Sequence, residues 1–297
     1  PPPSMADNEH DLVRQTAALA RLEIDEGEDE IHLDRQEREL VEEHAEVPSE
    51  VVYEAIRRAG LHELGRPVSG LGWSGVAAGI ALSLSVLVEG ALHALLPDAG
   101  WRPLVAAFGY SIGFLVVVQA RMQLFTENTI TPILPFFLNP GWGMLGRLLR
   151  LWGVVLVANL LGCAVAAWAM SLPEVVPPDI EAGMREIARA YAELTPAEQF
   201  LRGIPAGFVI AALVWILPRQ DGSGEVLVIV MLTWTIAVAE MSHVVAGSTK
   251  LFLLAFAGEL DAGEALLRDV APALAGNVLG GTGIFSALAY AQVRERV

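Results

Sequence analysis

The sequence predicts an all-α integral membrane protein: six transmembrane helices in an inverted repeat of three plus three, with the second and fifth helices broken. Three observations predict it. Mean hydropathy is +0.48 over 297 residues and 54% of them are hydrophobic, more apolar than soluble domains of this length. Apolar segments near the bilayer-crossing length of about 20 residues recur along the chain. Two of those segments are interrupted at corresponding places of the two halves.

The formal charge of −16 sits mainly at the front, where residues 1–66 hold 18 Asp or Glu and 7 Lys or Arg. This divides the chain into an acidic tail at 1–47, an amphipathic cytoplasmic helix at 48–66 and a transmembrane channel domain at 67–297. Residues 1–4, ahead of Met5, read as a remnant before the natural start. The tail, with its acidic run from Glu23 to Glu30, has too little apolar content to build a core and is expected to be disordered. It lacks the basic-then-apolar pattern of a signal peptide. Ser49 and Glu50 open an amphipathic period that Gly65 and Pro67 close, which places a helix on the membrane face.

The six spans lie near residues 70–96, 104–124, 145–172, 201–217, 226–239 continuing at 244–257, and 270–293. An even number puts both termini on one side. Eight arginines flank the spans there (57, 58, 66, 147, 150, 219, 294 and 296) and five flank the other side (102, 185, 189, 202 and 268), which makes the termini cytoplasmic. The loop at 173–198 is acidic and falls outside. The second span breaks from Leu124 to Pro132, and the fifth at Glu240–His243 and again near Gly247–Lys250. Span three carries Asn159 and Gly162, and span six repeats the spacing with Asn277 and Gly280. Three spans per half is odd, so the second half is inverted relative to the first, and breaks at matching places point to a central conduction site. Glycines four apart at 75/79, 109/113, 203/207 and 276/280 allow close helix packing, within one bundle or between protomers.

An acidic chain excludes nucleic-acid binding, which requires basic surface. The one cysteine, Cys163, reads as a buried apolar residue and precludes an intrachain disulfide. With no phosphate-binding glycine loop, metal-ligand cluster or nucleophile elbow, neither a cofactor nor a metal nor an enzymatic activity is expected.

From about Tyr53 onward the chain resembles the formate/nitrite transporter family. The resemblance rests on Ala55–Ala59 before span one, Leu124-Phe125-Thr126-Glu127-Asn128 at the first break, Ser242-His243-Val244-Val245-Ala246 at the second, and Ala275–Gly281 in span six. It implies an aquaporin-like fold, a homopentamer in membrane lipid with one pore per protomer, an inner (plasma) membrane setting, and passage of a small monovalent anion such as formate or nitrite, often with protons. Residue by residue it implies a constriction at Leu124 and Phe125, and Thr126 on the broken loop beside a central His243. The chain departs from the family at Gln123, at Glu127, at Gly203–Gly207 where an Asn is usual, and at Ser242, which marks a divergent branch.

The chemistry of these residues fits such a site. His243 changes charge near physiological pH and can relay a proton or donate a hydrogen bond to an anion. The Thr126 and Ser242 hydroxyls and the Asn128 amide along the pathway replace hydration, while Leu124 and Phe125 exclude bulk water. Arg121, Glu127, Glu240 and Lys250 lie near the breaks. Either Arg121 and Lys250 attract anions at the vestibules, or they pair with Glu127 and Glu240 to brace the broken helices. Two other functions stay open: a conduit for a neutral solute or a cation, and a non-conducting scaffold whose tail engages cytoplasmic partners.

Overall fold

The computed structural model describes residues 47–295; apart from Val47, the expected acidic tail lies outside the described residues, as does Arg296. Among the described residues the regular structure is entirely helical. Helix α1 (Ser49–Gly65) buries Val52, Tyr53, Ile56, Gly60 and Leu64, a stripe at helical spacing, and leaves Val51 and Leu61 exposed. The Tyr53 hydroxyl donates to the Leu134 carbonyl at 3.2 Å, and Arg150 donates to the Leu64 carbonyl at 2.8 Å, so α1 is tied to the bundle. On its outer face Glu54 pairs with Arg57 and with Arg58, both at 2.6 Å. The Arg57 guanidinium, with Arg58 behind it, holds the Glu54 carboxyl down at about 2.

Among the described residues, five helices are long and apolar enough to cross a membrane: α2 (Val68–Leu95), α3 (Arg102–Gln119), α5 (Trp142–Met170), α7 (Pro196–Arg219, its last turn 3₁₀) and α10 (Ala262–Val293). Two shorter apolar helices, α8 (Gly222–Val238) and α9 (Val244–Phe256), follow one another between α7 and α10; α9 runs uninterrupted through Gly247–Lys250, so the second interruption expected there is absent. A six-residue helix, α4 (Ile133–Leu138), follows the irregular stretch after α3. Prolines mark many of these starts: Pro67 precedes α2, Pro103 sits in the first turn of α3, and Pro196 opens α7. Helix α7 also has a full capping box, with Thr195 Oγ1 accepting from the Glu198 backbone N–H and the Glu198 carboxylate accepting from the Thr195 N–H.

The acidic stretch at 173–198 is not a plain loop. It contains α6 (Pro178–Ala192), whose Ile180, Met184, Ile187, Ala188 and Tyr191 face inward. Met184 packs against Gly90 of α2, where a Cβ would strike the Met184 backbone. Arg189 and Arg185 reach Glu259, just past α9, at 2.6 Å and 3.3 Å, and hold its carboxyl below the usual range.

The two halves are built alike. Helix α2 lies against α5 through Gly79, and α7 against α10 through Gly207. A Cβ on Gly79 would collide with the Asn159 carbonyl, and one on Gly207 with the Asn277 carbonyl. Helices α3 and α8 also end alike, with Met122 N–H on the Val117 carbonyl at 3.0 Å and Met241 N–H on the Ile236 carbonyl at 2.9 Å.

Candidate functional site

Where α3 stops, polar side chains take over the backbone. Thr129 Oγ1 donates to the Thr126 carbonyl at 2.7 Å, Thr131 Oγ1 to the Glu127 carbonyl at 3.1 Å, and Asn128 Nδ2 to the Leu124 carbonyl at 3.1 Å. Such local bonds compete with a helix, and Pro132 has no N–H to continue one. At the other break, Ser242 N–H donates to the Arg202 carbonyl at 3.1 Å, and extended His243 caps α9.

One asparagine in each half suspends the break. Asn159 Oδ1 accepts from Phe125 N–H at 2.9 Å, while its Nδ2 donates to the carbonyls of Gln123 at 2.8 Å and Gly75 at 2.9 Å. Asn277 Oδ1 accepts from Val244 N–H at 2.9 Å, while its Nδ2 donates to Ser242 at 2.7 Å and Gly203 at 2.9 Å. Both asparagines are fully buried. Neither was among the expected site residues, although the matching spacing in spans three and six pointed at both.

The two irregular stretches, after α3 and after α8, meet at one contact. Thr126 Oγ1 lies 2.8 Å from His243 Nε2, and both residues are buried. His243 Nδ1 accepts the Ala246 backbone N–H at 3.3 Å, which leaves the ring proton on Nε2. Nε2–H therefore donates to Thr126, whose own hydroxyl hydrogen remains to point elsewhere. The Phe114 ring stands edge-on to the imidazole, with centroids 5.1 Å apart.

Cavities approach this contact from opposite ends of the bundle. The first, about 260 Å³, opens where α3 and α7 begin and α8 ends; its lining includes Glu89, Tyr110, Tyr191, Glu240, His243 and Lys250. The second, about 490 Å³, opens where α3 and α7 finish; its lining includes Glu63, Arg121, Leu124, Glu127 and Asn128. Leu124 thus stands at the second cavity, while Phe125 turns aside to meet Trp152 edge-on at 5.8 Å and lines a groove between α5 and α10. Asn128 is braced, its Nδ2 also donating to Gln123 Oε1 at 3.1 Å and its carbonyl accepting from Trp152 Nε1 at 2.9 Å.

The charges near the breaks do not pair among themselves. Glu240 pairs with Arg202 at 2.9 Å and Lys250 with Glu89 at 3.1 Å, both partners coming from other helices. Arg121 is exposed, and Glu127 Oε1 is buried with no hydrogen-bond partner among the described residues.

Comparison with known proteins agrees with this architecture. A family model described as formate/nitrite transporter matches residues 49–291. Inner membrane protein YfdC of Escherichia coli (strain K12) is 36% identical over 278 residues, which is 92% of this chain and 89% of that protein. Formate-nitrite transporter 3 of Toxoplasma gondii (strain ATCC 50611 / Me49) is 25% identical over 183 residues, 60% of this chain and 36% of that protein. A solved structure named "FNT family ion channel" superposes with a TM-score of 0.69 at 21% identity, covering 82% of this chain and 98% of the other. Another, "Pentameric formate channel with formate bound", gives 0.65 at 17% identity, covering 81% and 99%. At those identities the two structures speak for a common fold. With the family model spanning most of the chain, this integral membrane protein belongs to the formate/nitrite transporter family.

Proposed function

We propose that the chain is a channel or proton-linked transporter for a small monovalent anion or its weak acid, of the formate or nitrite kind, with its pathway through the Thr126–His243 contact. The observation that carries this reading is a buried hydrogen-bonded pair of polar side chains, one from each break, with a cavity on either side. In this reading α8 and α9 together make one broken crossing, which gives six. The acidic tail and α1 face the cytoplasm, and the first cavity is external. Five copies assemble with one pore each, in keeping with the pentameric formate channel of the same fold.

The chemistry follows from desolvation. An anion that leaves water for an apolar constriction loses most of its hydration energy unless donors replace it or a proton neutralises it. His243, fixed as an Nε2–H donor, and the free hydroxyl hydrogen of Thr126 supply such donors between the two cavities. Ser242 lies beside them, and Leu124 keeps bulk water out on the inner side. Arg121, Glu127, Glu240 and Lys250 set the charge of the two vestibules.

The test is flux in proteoliposomes. Formate, nitrite and chloride uptake are measured against pH, with urea as an uncharged comparison. Weak-acid uptake that falls on His243→Ala supports the reading. Urea flux indifferent to His243 indicates a neutral conduit, and no flux of any solute indicates a scaffold.

A further inference from the structure

The first cavity contains two cations and two carboxylates, and they are joined in pairs. Lys250 Nζ sits 3.1 Å from Glu89 Oε2, and Arg202 Nη1 sits 2.9 Å from Glu240 Oε2. The two pairs differ in setting. Glu240 is well exposed, whereas the side chains of Lys250 and Glu89 are only 12% and 13% exposed. Lys250 is also flanked by two aromatic faces, Tyr110 at 5.9 Å from α3 and Tyr191 at 6.0 Å from α6. Glu89 Oε2 is buried without an aligned hydrogen bond, so charge, not a directed bond, links it to Lys250.

A lone lysine at this depth would present an approaching anion with a strong, poorly screened attraction. With Glu89 beside it, the attraction largely cancels over a solute-sized distance. The remaining titratable groups at this mouth do not restore it. His93 lies 3.2 Å from Glu186, Tyr110 and Tyr191 are neutral phenols, and His243 is engaged by Thr126 and Ala246. The cavity therefore carries no net formal charge from its acidic and basic side chains.

We infer that Glu89 is the specificity-determining residue of the outer mouth: by cancelling Lys250 inside a tyrosine-walled cavity, it makes the mouth admit the undissociated acid in preference to the free anion. This rests on the transport reading above and names the species that enters. Neutralising Glu89 alone uncovers the Lys250 charge and turns the mouth into a collector of anions. Neutralising both restores the balance.

The experiment compares wild type, Glu89→Gln, Lys250→Met and the double variant, each reconstituted in liposomes after its oligomer has been checked by size exclusion. Initial formate uptake is measured at fixed total formate across external pH, together with the electrical current at fixed potential. Wild-type uptake is expected to follow the concentration of undissociated acid with little current. Glu89→Gln is expected to flatten that pH dependence and raise anion current at least severalfold, and the double variant to return to the wild-type profile. Glu89→Gln with an unchanged profile and current, or a double variant that keeps the raised current, overturns the inference while the transport reading stands. If Glu89→Gln fails to assemble, the double variant and Lys250→Met decide it: the inference needs the double variant to match wild type, and it falls if that variant conducts anions like a positively charged mouth. Wild type that moves no weak acid at all defeats the transport reading, and this inference with it.

Discussion

Arg121 and Glu240 share a backbone conformation but carry opposite charges. Each follows the end of a helix, α3 or α8, and each is left-handed, with φ of +51° and +48°. The left-handed turn lets the next N–H reach back to a carbonyl five residues earlier, Met122 to Val117 and Met241 to Ile236. Non-glycine side chains adopt this conformation at a cost of about 1 kcal/mol. Arg121→Gly is therefore expected to raise stability by about 0.5–1 kcal/mol. Glu240→Gly should gain less, because it also removes the partner of Arg202. Thermal unfolding in detergent measures both; a destabilised Arg121→Gly would show that the arginine does more than turn the chain.

The paired asparagines make a stronger prediction. Replacing Asn159 or Asn277 with Leu strands a buried N–H and a carbonyl outside the helices at once, Phe125 and Gln123 in one half and Val244 and Ser242 in the other. Each stranded group costs about 1–3 kcal/mol, so either variant should lose several kcal/mol and melt well below wild type. Equal losses from the two variants are expected because the bonding patterns match. A tolerated Asn277→Leu would mean that the start of α9 is held by other contacts.

His243 has two jobs, and two substitutions separate them. His243→Ala removes both the cap of α9 and the donor to Thr126. His243→Asn keeps a capping acceptor but is too short to reach Thr126. Both should lower weak-acid flux roughly ten- to a hundredfold, the range of one strong hydrogen bond. His243→Asn should retain more of the stability. Thr126→Val, near in shape, should reduce flux and cost no more than the one buried N–H it leaves unpaired, about 1–3 kcal/mol. Flux that tracks stability across all three variants would make the contact a mere brace.

Close helix packing gives a sharp contrast. A Cβ at Gly79 or Gly207 meets the backbone of the opposing helix, whereas one at Gly72 meets nothing within 4 Å. Gly79→Ala and Gly207→Ala should each cost about 1–3 kcal/mol or prevent assembly, and Gly72→Ala should be neutral. Yield of monodisperse protein and melting temperature report the difference.

Acid should weaken the outer face of α1. Because Glu54 is held down at about 2 by Arg57 and Arg58, its contribution is complete above the ordinary carboxylate range near 4.5 and is lost as pH falls toward 2. The group is partly exposed, so solvent screening limits the effect to less than about 1 kcal/mol. Glu54→Gln should thus melt slightly below wild type at pH 7, with the gap closing as pH approaches 2. A gap that widens in acid would reverse the assigned sign.

Much of the fold was legible because the bilayer imposes simple constraints. Apolar length marks the crossings, and polar clusters with Pro132 mark where a helix must end. The repeated Asn and Gly spacing of α5 and α10 also stands in the sequence, and its meaning emerges once each amide is seen holding a break. Helix α6 was missed although Ile180, Met184, Ile187 and Tyr191 keep helical spacing; the acidic residues between them masked the stripe. The ion pairs could not be read from the chain. Glu89 and Lys250 lie far apart in sequence, and no local pattern tells a lysine which carboxylate on another helix will meet it. The resemblance implied a constriction at both Leu124 and Phe125; the sequence did not show that the two side chains meet different surroundings, Leu124 at the second cavity and Phe125 against Trp152.

The two facing cavities have an electrical consequence. In the proposed transport reading they reach toward the Thr126–His243 contact from both ends, so a voltage across the bilayer would fall mainly over the stretch between them and not over the full hydrocarbon. A whole charge moved through that gap works against about 2.3 kcal/mol per 100 mV. In the proposed reading an undissociated acid would cross the same gap indifferent to the field, so the cell's membrane potential would drive or brake the traffic only to the extent that ions, and not neutral molecules, make the passage.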